Sequence, residues 1–229
     1  MRHNPLDQVF GGAVMHNARL TSQSREGLAQ ALRAYHNYRG SPRLRNRLLM
    51  FVDFSQPNTA RRGRLLDVDR QRDVIEPFLV AHGARIPAGA SEEERRRLAY
   101  GLVGNRVNPV TPTEFSNVPG SNLSSLGFAV TGNIDPSPNW RWRIWLDGKS
   151  GSAFNSNLRR RLAYIHPYPG VLRDSRGRAV AIATSEGCPA VEDAVFEQLR
   201  RHIPNGTAVY IWAPTSIMAQ EPIAAGRSA

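Results

Sequence analysis

The stretch from Ala179 to Ile203 most restricts the folds open to this chain. Ala179-Val180-Ala181-Ile182-Ala183 is a short apolar run of strand length. Thr184-Ser185-Glu186-Gly187-Cys188-Pro189 follows as a turn. Gly187 lets the backbone approach a neighbour closely, and Pro189 suits the first turn of a helix. Val191, Val195, Leu199 and Ile203 then recur at helical spacing, with Glu192 and Asp193 early and Arg200 and Arg201 late. That charge order complements a helix dipole. The pattern predicts a strand, a tight turn and an amphipathic helix, with Cys188 near the helix N-terminus. Cys188 is the only cysteine, so no internal disulfide braces the fold. The thiol is either buried packing or a reactive group. A helix N-terminus lowers a thiol's pKa, which favours the reactive reading.

A second feature bears on that choice. Leu162-Ala163-Tyr164-Ile165 is a short apolar run that ends in His166. A histidine at a strand end can meet a cysteine at a neighbouring turn, and Cys/His is a recurrent pair of nucleophile and base. In that reading Cys188 attacks and His166 moves the proton. Backbone N–H groups around Gly187 and Cys188 hold the oxyanion, and Ser185 braces the turn or contacts substrate. No acidic partner for His166 can be named, and a backbone carbonyl would orient it equally well. A core histidine beside an unrelated buried thiol is the structural alternative.

The same residues resemble a known family. I-H at 165–166 and S-E-G-C-P-A-V at 185–191 are similar to the strand-borne histidine and the Ser-x-Gly-Cys turn of the peptidoglycan L,D-transpeptidases (YkuD-type catalytic domain). The match is to a divergent branch whose turn reads S-x-G-C-P-A. F-V-D-F-S at 51–55, L-V-A-H-G at 79–83, F-S-N-V-P-G-S-N-L-S-S-L-G-F at 115–128 and L-D-G at 146–148 resemble the same branch, in order. Better-known members carry a histidine where this chain has Glu186, and a polar or basic residue shortly after the cysteine, where it has Pro189 and Ala190. The resemblance implies a cysteine acyl transferase acting on peptidoglycan stem peptides in the periplasm, with any export signal absent from this sequence. It also implies that the loop at 115–127 runs along the substrate cleft. Ser121, Asn122, Ser124 and Ser125 would offer hydrogen bonds there, with Tyr168 and Glu186 as further substrate contacts. Both L-to-D bonds of a stem stay open, giving 3-3 or 1-3 cross-links. Water as acceptor would make the chain an L,D-peptidase.

The rest of the chain predicts a mainly β domain with peripheral helices, a mixed-sheet catalytic domain spanning 48–213. Leu48–Phe54 reads as a buried strand, and Gly63–Val68 and Val74–Ala81 continue it as a meander. Gly127–Gly132, Arg141–Leu146 and Ala208–Trp212 read as further strands. Period-2 alternation puts Trp140, Trp142 and Ile144 on one face of its strand and Arg141, Arg143 and Trp145 on the other. Residues 1–47 form an arm and a helix over Thr21–Tyr38, with Ser24 as its N-cap. Residues 84–114 form an insertion and a possible lid, with a helix over Ala90–Val103 opened by a Ser91/Glu94 capping box. Ser152–Arg161 reads as a short helix, His82 as structural, and 214–229 as a disordered tail.

The hydrophobic fraction of 41% supports a sizeable core, and no apolar run is long enough to span a membrane. The net charge is +11, with every basic residue except Lys149 an arginine. That excess favours a polyanionic partner. Nucleic acid is not expected, because the Arg-Arg-Arg clusters at 95–97 and 159–161 read as solvated helix faces. A non-catalytic basic module binding cell wall or nucleic acid is the alternative from another class. One cysteine and scattered histidines give no zinc spacing, and no phosphate loop or dinucleotide fingerprint is present, so neither metal nor cofactor is expected. Oligomeric state is not legible.

Overall fold

The computed structural model describes residues 20–103, 106–216 and 218. All but Leu20 of the expected arm at 1–20, and most of the expected tail, from 219 onward, lie outside the described residues. The fold is mainly β, as expected, with a mixed sheet and, among the described residues, three helices.

The centre of the sheet is set by two strands that are apolar except for Asp53 at the end of the first, β1 (Leu48–Asp53) and the last strand, β11 (Ala208–Trp212). They pair in parallel, Leu49 opposite Ala208 and Val52 opposite Ile211. A parallel pair buried on both faces needs continuous hydrophobic sequence, which both segments have. β2 (Gly63–Asp67) and β3 (Arg72–Asp73) extend one side antiparallel. β6 (Gly127–Ser137), β7 (Arg141–Gly148) and β8 (Tyr164–Ile165) extend the other, in the order β3-β2-β1-β11-β6-β7-β8. Two short hairpins stand apart: β4 (Leu102–Val103) with β5 (Arg106–Val107), and β9 (Val171–Arg173) with β10 (Ala179–Ile182).

Helix α1 (Ser22–Tyr38) packs Leu28, Leu32 and Tyr35 into the same core as the sheet. Gly27 meets the Trp212 ring so closely that a Cβ there would lie 2.4 Å from it. The N-cap is Thr21, whose hydroxyl accepts from Ser24 N at 3.0 Å. Ser24 is not the cap as expected. It lies inside the first turn, buried, and donates to Asp53 of β1, so its hydroxyl ties the helix to the sheet.

The insertion carries α2 (Glu92–Tyr100), shorter than expected but opened by the Ser91/Glu94 capping box and closed by Gly101 in the left-handed region. None of its residues is buried. Buried Asn58 holds the insertion to the body: its Oδ1 accepts from Val110 N, and its Nδ2 donates to the carbonyls of Ile182 and Tyr100.

Three expected elements differ. Residues 74–81 are buried from Phe78 to Ala81 but make only an isolated bridge, Gly63 to Phe78. Pro77 lacks a donor for a ladder, and the Arg62 side chain takes the Val80 carbonyl that a neighbouring strand would need. Residues 152–161 form turns instead of a helix. Asn155 bonds Ser150 N and Phe128 O through its side chain, and Asn157 is pinned by Asn117. Such side chains compete with helical backbone bonding. Finally, α3 begins at Asp193 and runs to His202. Pro189 does not open it, because Ala190 O accepts from Ala81 N and Val191 bridges Pro167.

Candidate active site

The turn that carries Cys188 is held on three sides. Ser185 N–H donates to His82 O at 2.7 Å, and Gly83 bridges Ser185 in parallel. Val191 N–H donates to His166 O at 3.1 Å. Within the turn, Ser185 Oγ donates to Cys188 O at 2.6 Å and accepts from Gly187 N. Ser185 is therefore the brace of the turn. Gly187 has φ of +107, and a Cβ there would lie 2.8 Å from Leu123 O and 3.0 Å from an Arg161 Nη2. Glycine is required by both the backbone conformation and the space. Cys188 N–H has no partner among the described residues, which leaves a donor beside the sulfur for an incoming oxyanion.

Cys188 is half-buried, and its thiol donates to Leu162 O at 3.6 Å. Leu162 holds an uncommon positive φ of 54 and is exposed, so the chain is bent at the carbonyl that faces the sulfur. Burial pushes the thiol up to about 11, opposed by the Tyr164 backbone and the Arg161 guanidinium and reinforced by Glu186. The expected depression by a helix N-terminus is absent because α3 starts beyond the turn. The resting sulfur is a neutral thiol.

His166 sits just past β8 and is buried. Its Nδ1 lies 2.8 Å from Pro167 O. A carbonyl only accepts, so Nδ1 carries the proton and Nε2 is left as the basic nitrogen. Burial lowers the imidazole to about 4, so it too is neutral at rest. Trp140 stacks on the ring at 4.3 Å between centroids, and Tyr164 and Tyr168 meet it edge-on. β8 thus links the two residues through its two ends. The thiol bonds the chain before the strand, and the imidazole follows the strand and is bridged to the cysteine turn through Pro167 and Val191. Sequence reading set Trp140 on a half-buried strand face and missed its place over the histidine.

The loop at 115–127 lies against the cysteine turn, with Leu123 O close to Gly187. A cleft of about 630 Å³ opens between 85–87 and 116–122, with Ser121 and Asn122 on its wall. Ser124 and Ser125, expected in the cleft, are 1% and 3% exposed. Ser124 accepts from Gly83 N, and Ser125 donates to Ser116 O, so they build the loop from within. Tyr168 donates its hydroxyl to Thr184 O at 2.9 Å, and Glu186 is exposed. Ala99 O of α2 accepts from Thr184 N, placing the insertion beside the same turn. A larger cavity, about 720 Å³, lies between α1, β1 and β2 and includes none of these residues. Of its charged groups, Arg64 pairs with Asp73, and Asp53 accepts from Ser24 and Ser55. Among the described residues no group of His, Cys, Asp and Glu could hold a metal ion, and no helix is long and apolar enough to cross a membrane.

Sequence reading also missed Arg161. It placed the residue on a solvated helix face, but the side chain turns inward. Nη1 donates to Ser116 O at 2.6 Å and to Ser125 Oγ, and Nη2 to Leu123 O and, at 3.3 Å, to Ser121 Oγ. Of its neighbours, Arg159 pairs with Asp147 and Arg160 is exposed.

A family model described as the L,D-transpeptidase catalytic domain matches residues 19–212. No curated protein matches the chain. Among solved structures it is similar to an L,D-transpeptidase from Mycobacterium smegmatis, at 10% identity and a TM-score of 0.39, over 73% of this chain and 59% of that one. It is also similar to one from Stackebrandtia nassauensis, at 13% and 0.36, over 89% of this chain and 74% of that one. A third, from Xylanimonas cellulosilytica, matches at 14% and 0.35 over 80% of both chains. The chain thus spans about six-tenths of the Mycobacterium smegmatis protein.

Proposed function

We propose, from the premise that this chain belongs to the L,D-transpeptidase catalytic domain family, that Cys188 and His166 carry out acyl transfer between peptidoglycan stem peptides. The observation that carries the reading is the fixed tautomer of His166. Its Nδ1 proton is held by Pro167 O, so Nε2 is the base, and the cysteine turn is bridged to the same segment.

Both groups are neutral at rest, so the reaction starts by proton transfer and not from a standing ion pair. Nε2 takes the thiol proton as sulfur attacks the carbonyl of the donor stem. The oxyanion is held by the N–H of Cys188 and that of Gly187, which then leaves Ser185 Oγ. Collapse breaks the C–N bond, and the imidazolium gives its proton to the leaving amine. A thioester on Cys188 remains. An acceptor amine attacks it, gives its proton to Nε2, and the returning thiolate takes that proton back. No cofactor is consumed.

A stem runs L-alanine, D-glutamate, a diamino acid, D-alanine, so L-to-D bonds follow positions one and three. Attack at the second bond yields 3-3 cross-links, and attack at the first yields 1-3 cross-links. In this reading Ser121, Asn122, Tyr168 and Glu186 contact the stem, and the arginine excess suits a carboxylate-rich polymer. Residues 48–213 act as the catalytic unit in the periplasm, with the 84–114 insertion as a cover beside the turn. Incubation with defined tetrapeptide stems, followed by mass spectrometry of the products, tests the proposal. Cross-linked dimers whose donor has lost D-alanine (3-3) or the tripeptide that starts at D-glutamate (1-3) support it, and trimmed monomers alone would make the chain a peptidase. Unchanged stems would overturn both.

A further inference from the structure

We propose that Arg161 is a positioning residue for Cys188: it clamps the cysteine turn to the 116–125 loop and presents an uncompensated positive charge to the sulfur as it ionises. The inference rests on the reading of Cys188 as the nucleophile.

Three observations carry it. The guanidinium is half-buried and reaches four acceptors, the carbonyls of Ser116 and Leu123 and the hydroxyls of Ser121 and Ser125. All four are neutral, and among the described residues no carboxylate pairs with Arg161. An arginine fixed by neutral acceptors keeps its full charge and has its direction set by the planar fork. Finally, Gly187 packs on Nη2, where an added Cβ would lie 3.0 Å away. The cation therefore stands against the peptide directly before the nucleophile.

The groups that face the sulfur are Arg161 from the turns before β8, the Tyr164 backbone of β8, and Glu186 on the cysteine's own turn. Arg161 and Tyr164 favour the thiolate, and Glu186 opposes it. His166, neutral at rest, adds no charge to these surroundings. In a site where burial works against ionisation, Arg161 is, among the described residues, the cation that the fold holds beside the sulfur. It offsets part of the cost when Nε2 withdraws the proton. A nearby opposite charge moves a titration by about one to three units. The half-exposed site screens the charge, which puts the expected change near the lower end.

The test is the pH dependence of Cys188 alkylation by iodoacetamide, a neutral probe, in the full chain. Arg161→Gln moves the reactive limb up by about one unit, so alkylation below the limb falls about tenfold. Glu186→Gln, at an exposed position, moves it down. An unchanged limb in folded Arg161→Gln overturns the proposal. A second readout needs no change at Arg161. In wild type the guanidinium NMR signals of Arg161 shift with the midpoint of the thiol titration, and in Cys188→Ala they do not. Signals indifferent to that titration would also overturn the proposal. Neither readout depends on turnover. Transpeptidation surviving in Cys188→Ala would sink the nucleophile reading and leave the charge coupling standing.

Discussion

Gly83→Ala tests whether the cysteine turn is assembled by backbone close packing. A Cβ at Gly83 would lie 2.3 Å from Asn122 O, 2.7 Å from the Gly187 Cα and 2.7 Å from the Leu123 carbonyl carbon. All three atoms are backbone, so no side chain can swing aside. The 122–123 loop and the cysteine turn must part by several tenths of an ångström or more. The Gly83 N–H bond to Ser124 Oγ, 2.8 Å, then lengthens or breaks. Overpacking a tight site costs about 1–3 kcal/mol. In a domain of this size each 1 kcal/mol lowers Tm by about 2–4 °C, so the expected loss is about 2–12 °C. Gly40→Ala is the control, since nothing lies within 4 Å of its added methyl. Scanning calorimetry measures both. Because the methyl lands on the cysteine turn, Gly83→Ala should also lose transpeptidation at temperatures where it remains folded. A Tm within a degree of the Gly40→Ala control would refute the packing argument, and full activity beside a large Tm loss would refute its link to the site.

In the free wild-type protein, Cys188 alkylation should rise only above the ordinary thiol range, toward about 11; a limb below neutrality would show a standing thiolate–imidazolium pair. Buried His82 and His166 are lowered to about 3 and about 4 from 6.5. The unfolded chain therefore binds more protons, and the stability from both groups is complete above about pH 6.5 and lost as pH falls toward those values. Urea melts from pH 7 to 4 read this directly, and a flat profile contradicts it. Asn58→Ala leaves Val110 N–H and Ile182 O without their partner and should cost about 1–3 kcal/mol, with proteolysis of the 84–114 insertion rising first. Equal protection of the insertion in the variant would show that Asn58 does not anchor it.

The parts legible in the sequence were those decided locally. Residues 48–52 of β1 and the whole of β11 are unbroken apolar runs, and the structure pairs them at the centre of the sheet. The Ser91/Glu94 capping box is a four-residue pattern that needs no distant partner. The 165–166 and 185–191 motifs, read with the family resemblance, pointed to Cys188 and His166. What stayed hidden depended on partners far along the chain. Arg161 has helical surroundings by composition, yet acceptors at 116–125 draw it inward. Periodicity marked Trp140 as one face of a strand, but its place over His166 follows from the β6–β7 hairpin meeting β8. Ser124 and Ser125 look like solvated loop residues and are buried because Gly83 and Ser116 supply their bonds. The helix expected to begin at Pro189 was displaced because Ala190 and Val191 bond to Ala81 and His166.

Intact-protein mass spectrometry during reaction with a tetrapeptide stem tests the nucleophile most directly. The account predicts a transient adduct equal to the donor fragment, mapping to Cys188 and absent in Cys188→Ala. The fragment's mass separates the two bonds, a tripeptide for the third and a single residue for the first. An adduct on Cys188→Ala, or turnover by wild type with no adduct on the cysteine under trapping conditions, would contradict it.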